Sequence, residues 1–221
     1  MRIGREGAVI DDPEPGDLLV AWSQPMILGR RSVLSERIDP YSAASPALRL
    51  PRVTLVLGGA RSGKSRYAEA LVAKAAPRAL YLATAEVGDA EMAERIQRHR
   101  AHRGSNWETL EEPLALAAAL SRESRADRPI LVDCLTLWLA NLLGAGRAVE
   151  SEIAALLEAL PRLAGPVVFV ANEVGLGIVP ENALARRFRD DAGRLNQSVA
   201  ARAERVVFIA AGLPLVLKEL G

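Results

Sequence analysis

Residues 58–65 read GGARSGKS, between the apolar run VTLVL and the polar, alanine-rich run RYAEALVAKAA. The spacing G-x-x-x-x-G-K-[ST] constrains the fold more than any other feature of the chain, because such a loop does its work only where a buried strand ends and a helix begins. Its flanks supply both. The residues Gly58, Gly59, Ala60, Arg61, Ser62, Gly63, Lys64 and Ser65 would then surround phosphates with backbone N–H groups, at a distance that a Cβ at the glycines would block. Lys64 would reach the β and γ oxygens of a nucleotide, and the Ser65 hydroxyl would hold Mg²⁺. A glycine-rich turn that binds nothing would not need these flanks.

From residue 52 onward, short β-branched apolar runs alternate with stretches of helical period, the pattern of a parallel sheet covered by helices on both faces. The runs VTLVL (53–57), ALYLAT (79–84), PILVD (129–133), PVVFVAN (166–172) and RVVFIAA (205–211) are nearly all apolar, as strands buried on both faces must be. Helices are predicted over 64–76, 89–103, 113–122, 135–143, 150–162 and 181–203. The expected fold class is α/β: a RecA-like P-loop NTPase with a mostly parallel sheet, forming one domain over 51–221. Residues 1–50 differ, with five prolines among scattered charges and no sustained period. They read as an N-terminal extension, poorly ordered and outside the domain.

Charge and cysteine content narrow the function classes. Lys plus Arg total 28 against 27 Asp plus Glu, so no global field favours nucleic acid or an anionic membrane, and any anion must be bound locally. The single cysteine, Cys134, excludes an intrachain disulfide, and it reads as a small buried residue rather than a nucleophile. No apolar stretch approaches the roughly 18 residues of a membrane span. The first residues place acidic side chains and prolines before the short run DLLVAW, the wrong order for a secretory signal. A cytoplasmic protein is expected.

A second carboxylate near the metal is expected at Asp133, which ends the strand PILVD at the carboxyl edge where ligands sit in open α/β sheets. The alternative is an aspartate that caps the following helix. Asn172 and Glu173 follow another buried strand and should border the same crevice or shape its turn. Both histidines of the chain lie within 91–113, where five of the six residues 98–103 are Arg or His. On a helix over 89–103, Arg95, His99 and Arg103 share one face at i, i+4 and i+8. Neighbouring guanidinium charges disfavour the imidazolium, leaving His99 neutral and able to attack phosphorus while the arginines hold its oxygens. A basic face that is only solvated is the plainer alternative.

With these residues in view, the chain from 53 onward resembles the bifunctional adenosylcobinamide kinase / adenosylcobinamide-phosphate guanylyltransferase family of cobalamin biosynthesis. The resemblance rests on GGARSGKS (58–65), the AT pair at 83–84, RIQRHRAHRGSNWETLEEP (95–113), VDCLTLWLANLL (132–143) and NEVGLGIVPENALARRFRDDAGRLNQ (172–197). It implies that His99 is the histidine that becomes covalently guanylylated and that 58–65 is the nucleotide loop. It further implies nucleotide contacts at Ala83, Thr84, Ala85, Arg100, Ala101, His102, Arg103, Glu111 and Asp133, with Ser65 and Asp133 on the metal. Glu111 would orient the histidine or meet the ribose or base. His102 is not a residue the family pattern requires, and the 50-residue extension departs from it.

Two reactions are implied. ATP or GTP gives its γ-phosphoryl group to a hydroxyl of adenosylcobinamide; His99 then takes GMP from GTP and passes it to the new phosphate ester. The implied cofactor is Mg²⁺, the partner a corrinoid and not nucleic acid, and the assembly a homo-oligomer, since one small domain offers few corrinoid-sized surfaces. Two rivals stay open at this point: a small-molecule P-loop kinase without a covalent intermediate, and a RecA-type nucleotide-switched ATPase module, against which the neutral charge speaks.

Overall fold

A computed structural model describes residues 49–85 and 106–220. The predicted helix over 89–103, with His99, Arg100, Ala101, His102 and Arg103, lies outside them, as does the extension through residue 48.

The described chain runs β1 (Val53–Gly58), α1 (Lys64–Ala75), β2 (Ala79–Ala83), β3 (Trp107–Glu111), α2 (Leu116–Glu123), β4 (Ile130–Asp133), α3 (Leu135–Gly144), α4 (Val149–Ala159), β5 (Val167–Asn172), α5 (Ala183–Arg202), β6 (Arg205–Ala210) and β7 (Leu213–Glu219). One sheet takes the order β3-β2-β4-β5-β1-β6-β7. Every pairing is parallel except the terminal hairpin β6–β7. This is the RecA-like P-loop architecture expected, in which a further strand, β5, separates the phosphate-loop strand from the strand ending in Asp133.

The five predicted strands are all present, and the central ones are apolar because both of their faces are covered. Every residue of β1 and β2 is buried, and Leu55, Leu82, Leu131 and Phe169 are inaccessible or nearly so. The core beside them takes Trp138, Leu139 and Leu142 from α3, Leu156 from α4 and Leu195 and Val199 from α5. Trp138 donates its indole N–H to the Leu114 carbonyl at 2.8 Å, so its polar edge is satisfied inside the core.

Two strands were not anticipated. β3 (WETLE) is a half-polar edge strand with an exposed face, so it lacks the all-apolar signature of its neighbours. It is pinned from below, where the buried Arg128 bonds both Glu108 of β3 and Glu123 of α2. Bonding to Arg122 first, and then to Arg128, holds the Glu123 carboxyl below its ordinary range. β7 (LPLVLKE) is the opposite, antiparallel edge and is exposed along nearly its whole length; Pro214 sits there because an edge strand tolerates a missing N–H. Helix α2 starts at 116 rather than 113, because the Glu112 carboxylate accepts from the Leu114 and Ala115 amides ahead of it. The tail of the predicted 150–162 helix is a 3₁₀ turn over Leu160–Arg162. Near the start of the described chain Leu50 is buried, and Arg52 donates to Pro161 and Leu163 carbonyls, so the packed chain already includes residue 50.

Candidate nucleotide site

Among the described residues, those expected at the site lie at the carboxyl edge of the sheet. β1 delivers the loop 58–65, which closes on itself through Ser62 N–H to the Gly59 carbonyl at 3.3 Å. Gly63 enters the helix at φ +95°, a conformation that favours glycine. Helix α1 has no side-chain cap and no acidic residue in its first turn. Helix α5 differs, because the Asn182 side chain accepts from Leu184 and Ala185 amides there. An uncapped helix start without a carboxylate is the kind of terminus whose dipole favours an anion.

Gly58 is required by space rather than by φ. A Cβ on it would stand 2.5 Å from Ser62 Oγ and 2.6 Å from the Ile209 carbonyl of β6, and the backbone atom cannot move aside cheaply. Gly58→Ala should therefore lower stability by about 1–3 kcal/mol and weaken nucleotide binding in parallel. Thermal unfolding and nucleotide titration check this; an unchanged melting temperature with unchanged affinity would refute it.

Lys64 is buried, and its Nζ donates to the Gly59 carbonyl at 3.1 Å, holding the ammonium across the loop. Asp133 ends β4 and its Oδ2 accepts from the Tyr81 hydroxyl at 3.0 Å. The N-cap of α3 is Cys134, and no side-chain cap bond is made there, so Asp133 does not cap that helix. Next to it, Thr84 Oγ1 accepts from the Cys134 amide and donates to the Cys134 carbonyl, both at 2.8 Å. Asn141 holds the Thr84 carbonyl at 2.7 Å. The Cys134 thiol registers the surrounding charges: burial first, then the Asp133 carboxylate, push its pKa up to about 11, against a smaller pull from Lys64. It is neutral in the physiological range and unsuited to nucleophilic work, as its sequence context implied.

Register places several expected nucleotide contacts side by side. Ala83 is the Cα partner of Glu111 on β3 and of Asp133 on β4, so the three end their strands in one row. Thr84 and Ala85 continue from β2. Glu111 stands four strands from β1, on the order of 19 Å at ordinary strand spacing, too far to meet the phosphates at the loop. The segment carrying His99 leaves the described chain after Ala85 and rejoins it at Asn106, so both its anchors are the adjacent strands β2 and β3.

Between Gly58 and that row lies Asn172, the register partner of Gly58 on β5. The Asn172 amide donates to Thr136 Oγ1 at 2.7 Å, and the Glu173 amide donates to the Gly58 carbonyl at 3.1 Å. Asn172 Oδ1 and Ser62 Oγ are buried without hydrogen-bond partners. Buried polar atoms are rarely left so; Ser62 belongs to the loop and Asn172 is the register partner of its first residue.

Sequence reasoning missed the buttress behind the loop. Ala211 (φ +50°) and Gly212 (φ +81°) turn β6 into β7. The Gly212 amide donates to the Ser62 carbonyl at 2.8 Å, and Gly212 Cα lies 3.4 Å from where a Gly63 Cβ would be. The pair AG between two apolar runs was the available signal, since two-residue hairpins favour positive φ at both positions.

Comparison with known proteins agrees with this geometry. The family model for cobinamide kinase / cobinamide phosphate guanyltransferase matches residues 54–217. The bifunctional adenosylcobalamin biosynthesis protein CobP of Pseudomonas aeruginosa is 55% identical over 166 residues, covering 74% of this chain and 96% of that one. The corresponding CobU proteins of Salmonella typhimurium and Escherichia coli are 45% and 41% identical over 179 residues, each covering 74% of this chain and 98% of theirs.

Proposed function

The chain belongs to the cobinamide kinase / cobinamide phosphate guanyltransferase family, and we propose that its one phosphate loop serves both transfers. It is a bifunctional enzyme of adenosylcobalamin biosynthesis, a kinase and a guanylyltransferase, rather than a kinase of one step or an ATPase module. The observation that supports a shared loop is that only one G-x-x-x-x-G-K-[ST] run occurs in the whole sequence, with Ala83, Glu111 and Asp133 aligned beside it on one sheet edge.

In the kinase step the α1 amides and Lys64 hold the β and γ oxygens of ATP or GTP. The aminopropanol hydroxyl of adenosylcobinamide attacks the γ-phosphorus, the bond to the bridging oxygen breaks and the nucleoside diphosphate leaves. The hydroxyl proton passes to solvent. Ser65 and Asp133 would hold Mg²⁺, which when bound would neutralise charge on the phosphates. In the second step a ring nitrogen of His99 attacks the α-phosphorus of GTP and pyrophosphate departs. The phosphate ester of the corrinoid then displaces the histidine and takes GMP, giving adenosylcobinamide-GDP. Covalent capture divides one difficult transfer into two easier ones. In this scheme Arg95 and Arg103, on the same face of the predicted helix as His99, hold non-bridging oxygens, Arg100 is a further nucleotide contact, and Glu111, far from the loop, serves the ribose, the base or the histidine. A cytoplasmic, homo-oligomeric enzyme completes the proposal.

Asp133→Asn tests the metal assignment. The amide is nearly isosteric and still accepts from Tyr81, so the melting temperature should hold. Turnover at limiting Mg²⁺ should fall by about tenfold or more and recover partly as Mg²⁺ is raised. A turnover that does not respond would remove Asp133 from the metal.

A further inference from the structure

The loop between β5 and α5, residues 173–182, carries no charge between Glu173 and Glu181: it reads VGLGIVP. Three of its side chains stand in solvent, Leu176 at 82%, Ile178 at 97% and Val179 at 59% exposure, and Leu184 at 64% follows on α5. Single exposed apolar residues need no explanation, but a cluster of large ones marks a contact surface. This cluster is held outward by a built frame. At the root, the Glu173 amide bonds the Gly58 carbonyl and the Glu173 carboxylate accepts from the Gly175 amide at 2.5 Å. At the far end Asn182 caps α5, and Arg186 donates to the Pro180 carbonyl at 3.0 Å and to that of Glu181. Val174 packs on the core.

We propose that this loop is the wall on which the corrinoid macrocycle lies during phosphoryl transfer, with Leu176, Ile178 and Val179 against its methylated face; this rests on the corrinoid specificity assigned above. Three observations select that occupant. The loop springs from Glu173, whose amide bonds the Gly58 carbonyl, so it starts beside the phosphate loop, to which the acceptor hydroxyl must come. Beyond β5, away from the phosphate loop, β4, β2 and β3 carry the row Asp133, Ala83 and Glu111 assigned to the nucleotide. And an uncharged apolar lip flanked by two acidic residues, Glu173 and Glu181, complements a large macrocycle that has neutral carboxamide arms and one net positive charge. Bulky acceptors bind in concave sites with apolar walls and few polar groups, and binding energy from such remote parts of a substrate orients its reacting hydroxyl.

The test uses the full chain with the double variant Leu176→Ser/Ile178→Ser, and Ile178→Leu as the conservative control. The expected result is a rise of about 10- to 100-fold in KM for adenosylcobinamide, with KM for ATP, kcat and melting temperature near parent values and Ile178→Leu close to parent. A truncated acceptor, an N-acyl aminopropanol without the macrocycle, should be phosphorylated equally poorly by parent and double variant. An unchanged KM for adenosylcobinamide would overturn the proposal. So would a fall in native mass on sedimentation of the double variant, which would assign the lip to contact between copies of the chain. If the parent phosphorylates no corrinoid at all, the functional assignment fails and this proposal with it; a parent active on corrinoid beside an unaffected double variant sinks the proposal alone.

Discussion

Lys64→Ala is expected to abolish nearly all of both activities at once, with kcat/KM for phosphoryl transfer and for guanylyl transfer each falling roughly 100- to 1,000-fold. The Lys64 ammonium is buried and tied across the loop to the Gly59 carbonyl. In such a site a cation aimed at the β and γ oxygens is worth far more than in water. Its loss should show in transfer of label from γ-labelled ATP to adenosylcobinamide and in capture of label from α-labelled GTP. The two losses should be of similar size. Guanylyl transfer that survives intact would demand a second triphosphate site and end the shared-loop proposal.

His99→Ala is expected to separate the two reactions instead. Phosphorylation of adenosylcobinamide should continue within a few-fold of the parent rate, because γ-transfer depends on loop, metal and acceptor hydroxyl. Adenosylcobinamide-GDP should not form, because no other group of comparable nucleophilicity at neutral pH is assigned to the α-phosphorus. In the parent, label from α-labelled GTP should stay on the denatured protein, leave in acid and resist alkali, as a P–N bond does and an ester does not. His102→Ala should be much milder. Label that persists in His99→Ala and disappears in His102→Ala would move the nucleophile to His102 and keep the mechanism. A parent that takes up no label with GTP and Mg²⁺ would remove the covalent step itself.

The phosphate loop was legible because its requirements are local. Gly58, Gly63, Lys64 and Ser65 declare themselves within eight residues, and a buried strand before them reads as an unbroken apolar run. The same rule found β2, β4, β5 and β6, and it failed at β3 and β7 for a physical reason. WETLE and LPLVLKE lie at the sheet's edges, where one flank has no partner and the faces are not uniformly covered, so neither run needs the composition that marks a central strand. Asp133 could be singled out as a strand-end carboxylate, but one residue at a helix start serves equally well as a cap in sequence. Only the observed bond to Tyr81 and the uncapped α3 separate those alternatives.

What the sequence alone determined is the chemistry available: a loop for phosphates, a strand-end carboxylate, and an imidazole among guanidinium groups. Which of these become neighbours was decided by tertiary structure. The order β3-β2-β4-β5-β1-β6-β7 brings Ala83, Glu111 and Asp133 into one row, inserts β5 between that row and the loop, and turns Gly212 against Gly63 from behind. The physical reason is that strand order and register are set by long-range pairing and by right-handed crossovers between distant segments, to which no short stretch of composition is sensitive. A phosphate loop can be written in eight adjacent residues, whereas the distance from Glu111 to that loop exists only once four strands have been laid side by side.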